Sequence, residues 1–503
     1  MTADARDFGA LLPALLAGLG ALGILGFDGI RSGRSGGVRP ARMGAAAALL
    51  GVGALVSIAL LAGHAFRAGA VRTFDPASGR FVLDPFGAFV TAAIALASAA
   101  VVISAPQYIQ KRHLPPAGTT ALLLLSISGL FVWVGARDLV LALVAMELAT
   151  LPLVFLVASE PARTAPNESG LKAVVHAGVA SGLSWFGLAL LFGATGATAY
   201  AEVGAAVAGA GWIGGVGLGL LVAGWLARLA AVPFQLGSPD VQREAPVPAA
   251  AFLSSVVPIA GFAALLRLTL SGPFLAGAYG DALWAIAATT LVVGHALAAL
   301  QTRLKPMMAF TVMAQAGWFL AALAADTGVA ASALLFGVVA AAWMNLGVFA
   351  VLVTLAGRDS LHDAIADFAG FAGERPLLAG LLALFCLSQA AVPGTIGFVA
   401  RFRLLHALVD AGEVGLALVG VLASLLSFYA FARIPLQMVA GEARPRSLPP
   451  VRSGEGIALA VCAAVVVLGG VAPAGLAFGG LEDLGLWHWV QQAVEALRQR
   501  AAG

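Results

Sequence analysis

One stretch limits what this chain can fold into more than any other: Leu221–Ser254, LVAGWLARLAAVPFQLGSPDVQREAPVPAAAFLS. It opens as an apolar run suited to lipid and is then broken twice. Arg228 lies inside the run, five residues before Pro233. A charge in hydrocarbon costs at least about 2.5–3.5 kcal/mol on the mildest scale. Proline removes a helix hydrogen bond and clashes with the preceding turn. A membrane segment keeps both only if it is buried among other helices or lines a wet cavity. A polar turn, Gly237-Ser238-Pro239-Asp240, follows, and then a proline-punctuated restart, Ala245-Pro246-Val247-Pro248. A charged, discontinuous membrane helix of this kind is expected on an ion path.

The rest of the chain supplies the scaffold. Of 503 residues, 60% are hydrophobic and 11% are charged, against about 25% charged in soluble domains. The fold class is therefore an all-α, polytopic membrane protein. The net charge of +3 is scattered, with no basic run to suggest nucleic acid. The two cysteines, Cys386 and Cys462, both fall in apolar runs. They form no cluster, and nothing resembles a haem or iron–sulfur motif, so no redox centre is expected on this chain. The first apolar run, preceded by MTADARDF, lacks a positive leader and reads as a retained helix.

About 20 apolar residues span a bilayer, which predicts fourteen spans, at roughly 9–27, 43–65, 84–105, 117–135, 138–158, 170–194, 212–235, 247–271, 281–302, 306–325, 330–356, 377–409, 411–439 and 455–478. The stretch Leu481–Arg500, with Trp487, Trp489, Val490, Val494 and Leu497 on one side, is predicted as an amphipathic helix at the interface. With both termini outward, on the periplasmic side, seventeen lysines and arginines fall in cytoplasmic loops and seven on the opposite side. The positive-inside bias favours that orientation.

An internal echo organises the spans. Ala231-Val232-Pro233 in span seven recurs as Ala391-Val392-Pro393 in span twelve, each near an arginine, Arg228 or Arg401. Two broken helices five spans apart imply two five-helix repeats, and an odd repeat length makes the copies inverted. The expected divisions are 1–115 (spans one to three), 116–275 and 276–440 (the repeats), and 441–503 (the last span and the interfacial helix). Inverted repeats place an ion site at their interface.

Glu147 lies near the middle of span five. Intramembrane ionisable residues are functional by default, and a proton-relay carboxylate is the reading favoured over a structural ion pair. Arg228 is its natural partner. An arginine holds a carboxylate or repels a cation but cannot lose its proton, so a fixed bridge and an active gate are equally open for Arg228 and for Arg401. Lys305 and Lys172 lie near span ends, where snorkelling competes with function. His295 lies deep in span nine, where a bond to a helix carbonyl outweighs a titrating role. No His and carboxylate spacing suggests a metal, and no glycine-rich loop suggests a nucleotide. The 62 glycines fit close helix packing.

At these residues the chain resembles the antiporter-like membrane subunits of respiratory complex I. The resemblance is carried by VAMELATLPLVFLVA, ESGLKAVVHAGVASGLSWFGLALLFGATGAT, ARLAAVPFQLGSPDVQREAPVPAAAFLSS, QTRLKPMMAFTVMAQAGWFL, AAWMNLGVFAVL, DFAGF and LSQAAVPGTIGFVARFRLL, in order. The wording is most similar to the N-type subunit. The resemblance implies fourteen helices, broken helices seven and twelve, a charged midplane axis, other membrane subunits as partners and a bacterial inner membrane. It also implies proton translocation driven by quinone reduction, with NADH and quinone used by the assembled complex and no cofactor bound by this chain. Glu147 matches the family's glutamate. Arg228 and Arg401 stand in place of lysines, while Pro258 and Gln315 stand at usually titratable positions. A lysine relay cannot run through such a chain. A non-pumping structural subunit, or a subunit of a multi-subunit cation/proton antiporter or membrane hydrogenase, therefore stays open beside a pumping one.

Overall fold

A computed structural model describes residues 5–34, 40–75, 79–159, 166–235, 237–274, 278–357, 363–440, 450–471 and 486–502. The first three long helices are α1 (Ala5–Arg34), α2 (Pro40–Arg67) and α3 (Pro85–Lys111), with a two-residue antiparallel pair, β1 (Arg72–Thr73) and β2 (Val82–Leu83), between α2 and α3. Next come α4 (Pro116–Gly135), α5 (Leu139–Val157), α6 (Pro166–Thr195), the short α7 (Tyr200–Ala206), α8 (Gly211–Arg228), the short α9 (Ser238–Glu244) and α10 (Val247–Leu270). The second series is α11 (Ala278–Leu300), α12 (Leu304–Ala324), α13 (Gly328–Leu355), a short α14 (Phe371–Glu374), α15 (Pro376–Gln389), α16 (Ile396–Asp410) and α17 (Val414–Ala440). The chain closes with α18 (Ser453–Val471) and α19 (Leu486–Ala502).

Among the described residues, thirteen helices are long and apolar enough to cross a membrane. The broken pair α15–α16 makes the fourteenth passage. The chain is thus a multi-pass membrane protein with the expected fourteen passages, although the last predicted span runs past Val471 into residues outside those described. Arg39, Arg163, Arg358, Arg444 and Arg446, counted among the loop cations, also lie outside them.

Two features show the repeat in the coordinates. In the first, Leu139 N–H donates to the Thr198 carbonyl (2.9 Å) and Tyr200 N–H to the Arg137 carbonyl (2.9 Å). The second copy has Leu304 N–H on the Asp363 carbonyl (2.7 Å) and Ile365 N–H on the Thr302 carbonyl (2.9 Å). The link before the second helix of each series is thereby pinned to the segment after the third.

The second feature is the break itself. Helix α8 ends with Ala230 N–H on the Ala227 carbonyl and Ala231 N–H on the Leu226 carbonyl. Helix α15 ends with Ala391 N–H on the Ser388 carbonyl and Val392 N–H on the Leu387 carbonyl. Both are Schellman caps, and in both the left-handed residue is an alanine, Ala230 (φ 58°) and Ala391 (φ 58°). Glycine usually holds that position because a Cβ is strained there. The cap falls three residues before Pro233 and two before Pro393, so the breaks are equivalent although the prolines are offset by one. Beyond the second cap, Gly394 continues the turn at φ 88°.

The core centres on α13. Its residues are apolar on every side, as a helix surrounded by others must be, and Ala330–Leu355 is buried throughout. The crossing of α6 and α8 is close because glycines face backbone: a Cβ on Gly187 would stand 2.4 Å from the Leu221 nitrogen, and one on Gly224 2.5 Å from the Ala180 oxygen. That approach brings the end of α8 to α5 and α6.

Three expectations are corrected. Gly237-Ser238-Pro239-Asp240, expected as a turn, instead opens the short helix Ser238–Glu244 with Pro239 in its first turn, where a missing N–H is tolerated. The amphipathic segment begins at Leu486, with 481–485 outside the described residues. Val490, Val494 and Leu497 are buried, and α19 packs on α3, α10 and α13 instead of lying in lipid. Arg403 stacks on the Trp487 ring at 3.7 Å. The third correction concerns Lys305, below.

Candidate functional site

Arg228 is the last residue of α8, so the Schellman turn carries the backbone away and leaves the guanidinium facing α5 and α6. Its Nη2 donates to Glu147 Oε1 at 3.0 Å, to Ser181 Oγ and, at 3.5 Å, to the Ala177 carbonyl. Its Nη1 donates to Thr150 Oγ1, and Ser181 Oγ donates to Glu147 Oε1. The pairing expected between Glu147 and Arg228 is therefore present. The side chains differ in exposure: 7% for Arg228 and 26% for Glu147. The acid is the more exposed member of the pair.

Beside this pair lies a cavity of about 80 Å³, lined by Arg228, Thr150, His176, Ser238 and Gln242 among apolar side chains such as Trp133. A water needs roughly 10–15 Å³ of such space and two or more polar partners, so the cavity has room for several. Among the described residues, the buried Nε of Arg228 has no hydrogen-bond partner.

Lys172 joins Glu168 (3.0 Å) and Glu244 (3.3 Å), tying the end of α9 to α6. Lys305 does not snorkel. Its side chain is buried, and Nζ donates to the carbonyl of Ala245, the C-cap of α9. The lysine starts α12 at a point where α9 covers it, so its shortest route to a partner runs inward. Lys172 and Lys305 thus brace α9 and stand apart from the Glu147–Arg228 contact. His295 is buried with Nδ1 2.8 Å from the Leu291 carbonyl, the carbonyl-bonded arrangement.

Arg401 lies on α16, past the break. Its Nη2 donates to the Gln389 carbonyl (2.7 Å) and to Ser427 Oγ (2.8 Å), and Nη1 is buried without a partner among the described residues. Among the described residues its bonds are to neutral groups, so the two arginines of the echo are not alike. Arg228 has an acid, and Arg401 has none.

Between them runs a chain of amides that sequence reading did not assemble. Gln389 Nε2 donates to Asn345 Oδ1 (2.7 Å), and Gln315 Nε2 donates to Gln389 Oε1 (3.0 Å) and Asn345 Oδ1 (3.3 Å). Asn345 Nδ2 donates to Gln315 Oε1 (3.0 Å) and the Ser254 carbonyl (2.9 Å). Pro258 explains that last bond. It has no N–H for the carbonyl four residues back, which is that of Ser254, and Asn345 takes the vacancy. Ser254 Oγ in turn donates to Gln242 Oε1 (3.3 Å), at the edge of the cavity.

A second ion pair was also missed. Arg267 makes two bonds to Asp84, 2.7 and 2.8 Å, with both side chains 2% exposed. Asp84 caps α3 by accepting from Gly87 N–H (2.7 Å). Burial pushes its carboxyl up, but the Arg267 charge and bonds, with that N–H, outweigh burial and hold it below the ordinary carboxylate range. The signal available in the sequence was the pattern Asp84-Pro85, a capping residue before a helix-starting proline; nothing there pointed to Arg267.

Residues 136–427, more than half of the chain, match the transmembrane family described as NADH:quinone oxidoreductase/Mrp antiporter. The chain belongs to this family. NADH-quinone oxidoreductase subunit N of Trichlorobacter lovleyi is 33% identical over 382 residues, 75% of this chain and 78% of that protein. In fold, the chain is similar to a chain of Thermus thermophilus respiratory complex I (TM-score 0.74, 24% identity, 92% of this chain and 98% of that one). It is also similar to a chain of the Mrp complex from a Dietzia species (TM-score 0.81, 18% identity, the whole of both chains). The family match begins at the α4–α5 link and ends within α17, so it takes in both breaks and both pinned links.

Proposed function

We propose that this chain is an N-type membrane subunit of a complex I-like NADH–quinone oxidoreductase, and that it takes part in proton translocation coupled to quinone reduction elsewhere in that assembly. Other membrane subunits are its partners, in a bacterial inner membrane with both termini outward. The chain itself carries no redox group in this reading; NADH and quinone act on other subunits. The two five-helix segments, 116–275 and 276–440, are its functional halves.

The observation that carries the reading is the Glu147–Arg228 pair at a broken helix beside a cavity into which Arg228, Thr150, His176, Ser238 and Gln242 reach. Arginine keeps its charge throughout, so the exchanging group is Glu147. While Glu147 is ionised, Arg228 and Ser181 hold it. When it takes up a proton, the ionic part of that hold is lost and Arg228 keeps Thr150 and the Ala177 carbonyl. Arg228 acts through Glu147 and is a positioning residue.

The test is proton uptake during NADH-driven quinone reduction by the complex in vesicles. Glu147→Gln is expected to lower uptake while quinone reduction continues; unchanged uptake removes Glu147 from the path. Arg228→Lys is expected to retain uptake with a shifted pH profile.

A further inference from the structure

We infer that Gln315, Asn345 and Gln389 form an uncharged, inverted copy of the Glu147–Arg228 site, and that this copy closes the core to protons between the two halves. The inference rests on the proton-exchanging role proposed for Glu147.

The equivalence follows from the register. Leu139 and Leu304 hold the same place at the pinned links. Thr150 lies eleven residues beyond the first, and Gln315 eleven beyond the second. Arg228 and Gln389 are each the last residue of a helix that ends in the same cap. The first half joins Arg228 to Thr150 on α5 and to Ser181 on α6. The second half joins Gln389 to Gln315 on α12 and to Asn345 on α13. The same three elements meet in the same way. Three residues before Thr150 stands Glu147; three before Gln315 stands Val312. The acid and the guanidinium are both gone from the copy. Arg401 is not the counterpart of Arg228, because it lies on the far side of its break and meets Gln389 through the backbone carbonyl.

A carboxamide neither takes up nor releases a proton in the range where proteins work. Transfer across the ring therefore needs a water chain, and the room for one is small. The cavity touching Gln315, Ser255 and Pro258 is about 10 Å³, the lower limit for a single water and an eighth of the space beside Arg228. Five bonds from their six N–H groups go to each other and to the Ser254 carbonyl that Pro258 frees. Protons reaching Glu147 stop in the first half, and Arg401 remains a fixed charge behind the barrier.

The isosteric variant Gln315→Glu tests this in the assembled complex. Behind a barrier, its carboxyl stays protonated, and its infrared C=O stretch, read as a difference from the unmodified complex, holds its position for hours in heavy water. A carboxylate band, or an isotope shift within minutes, overturns the barrier. A second variant, Gln315→Met, removes the polar group. Proton uptake per quinone reduced is expected to match the unmodified complex, and a halving with electron transfer intact also overturns it. Should Glu147→Gln leave uptake unchanged while the Gln315→Glu carboxyl stays unexchanged, the role of Glu147 falls and the barrier stands.

Discussion

The two broken helices share a backbone and differ in chemistry. Each ends in an alanine-bearing Schellman cap near an Ala-Val-Pro, and each delivers a long polar side chain to the two helices that flank it. At the first break that side chain is Arg228, with an acid, a hydroxyl cluster and a cavity of about 80 Å³. At the second it is Gln389, enclosed by two more amides. The difference teaches that the fold supplies a place where helix polarity is interrupted, and the side chains decide whether that place handles charge. The neutral ring spends most of its donors and acceptors on itself beside a cavity of about 10 Å³, whereas the ion pair has a quarter-exposed acid and a cavity of about 80 Å³ beside it.

The comparison is most exposed to variants of the acid. Glu147→Gln is expected to lower quinone-coupled proton uptake by about tenfold or more, the scale on which a positioned acid–base group contributes. An equal loss from Gln389→Met, measured in the same vesicles, would break the distinction between the halves.

Next in size is the sealed pair at the membrane edge. Asp84→Asn leaves Arg267 buried without its counter-charge and is expected to cost about 3–5 kcal/mol. The linkage sign is definite: the carboxyl is held below its ordinary value in the fold, so its stabilisation is complete above the unfolded value of about 3.9 and is lost as the pH falls below it. Thermal unfolding of the complex should therefore show an acid-side loss that the variant lacks.

Removing the central polar group from each break sharpens the contrast. Arg228→Met is expected near the lower end of about 3–5 kcal/mol, because Glu147 keeps some exposure. Gln389→Met, which strands amide groups, is expected at about 1–3 kcal/mol. Equal shifts in unfolding midpoint would count against a charged and a neutral version of one site. Smallest are Ala230→Gly and Ala391→Gly, each expected to stabilise by up to about 1 kcal/mol. Unequal effects would separate the two caps.

How much of this was legible depended on the kind of residue. The fourteen passages, the two breaks and the Glu147–Arg228 pair were readable because a charge or proline in an apolar run has few tolerable explanations. The amide ring was not: Asn345 and Gln389 sit in ordinary apolar helices, and nothing in their spacing says that α12, α13 and α15 converge. For Lys305 snorkelling and function were both open in the sequence, because only packing shows α9 lying over it. The amphipathic pattern of α19 was visible, but the pattern cannot say whether its apolar side meets lipid or protein.

The sequence by itself determined the solvent, the number of crossings and where helices stop, because desolvation and backbone geometry act locally on each residue type. Tertiary structure decided which interruptions face each other, that Gln389 and not Arg401 is the partner of Arg228 across the repeat, and that one site has a roomy cavity beside it and the other a small one. Those outcomes depend on distances between segments far apart in the chain, which no local property of the residues sets.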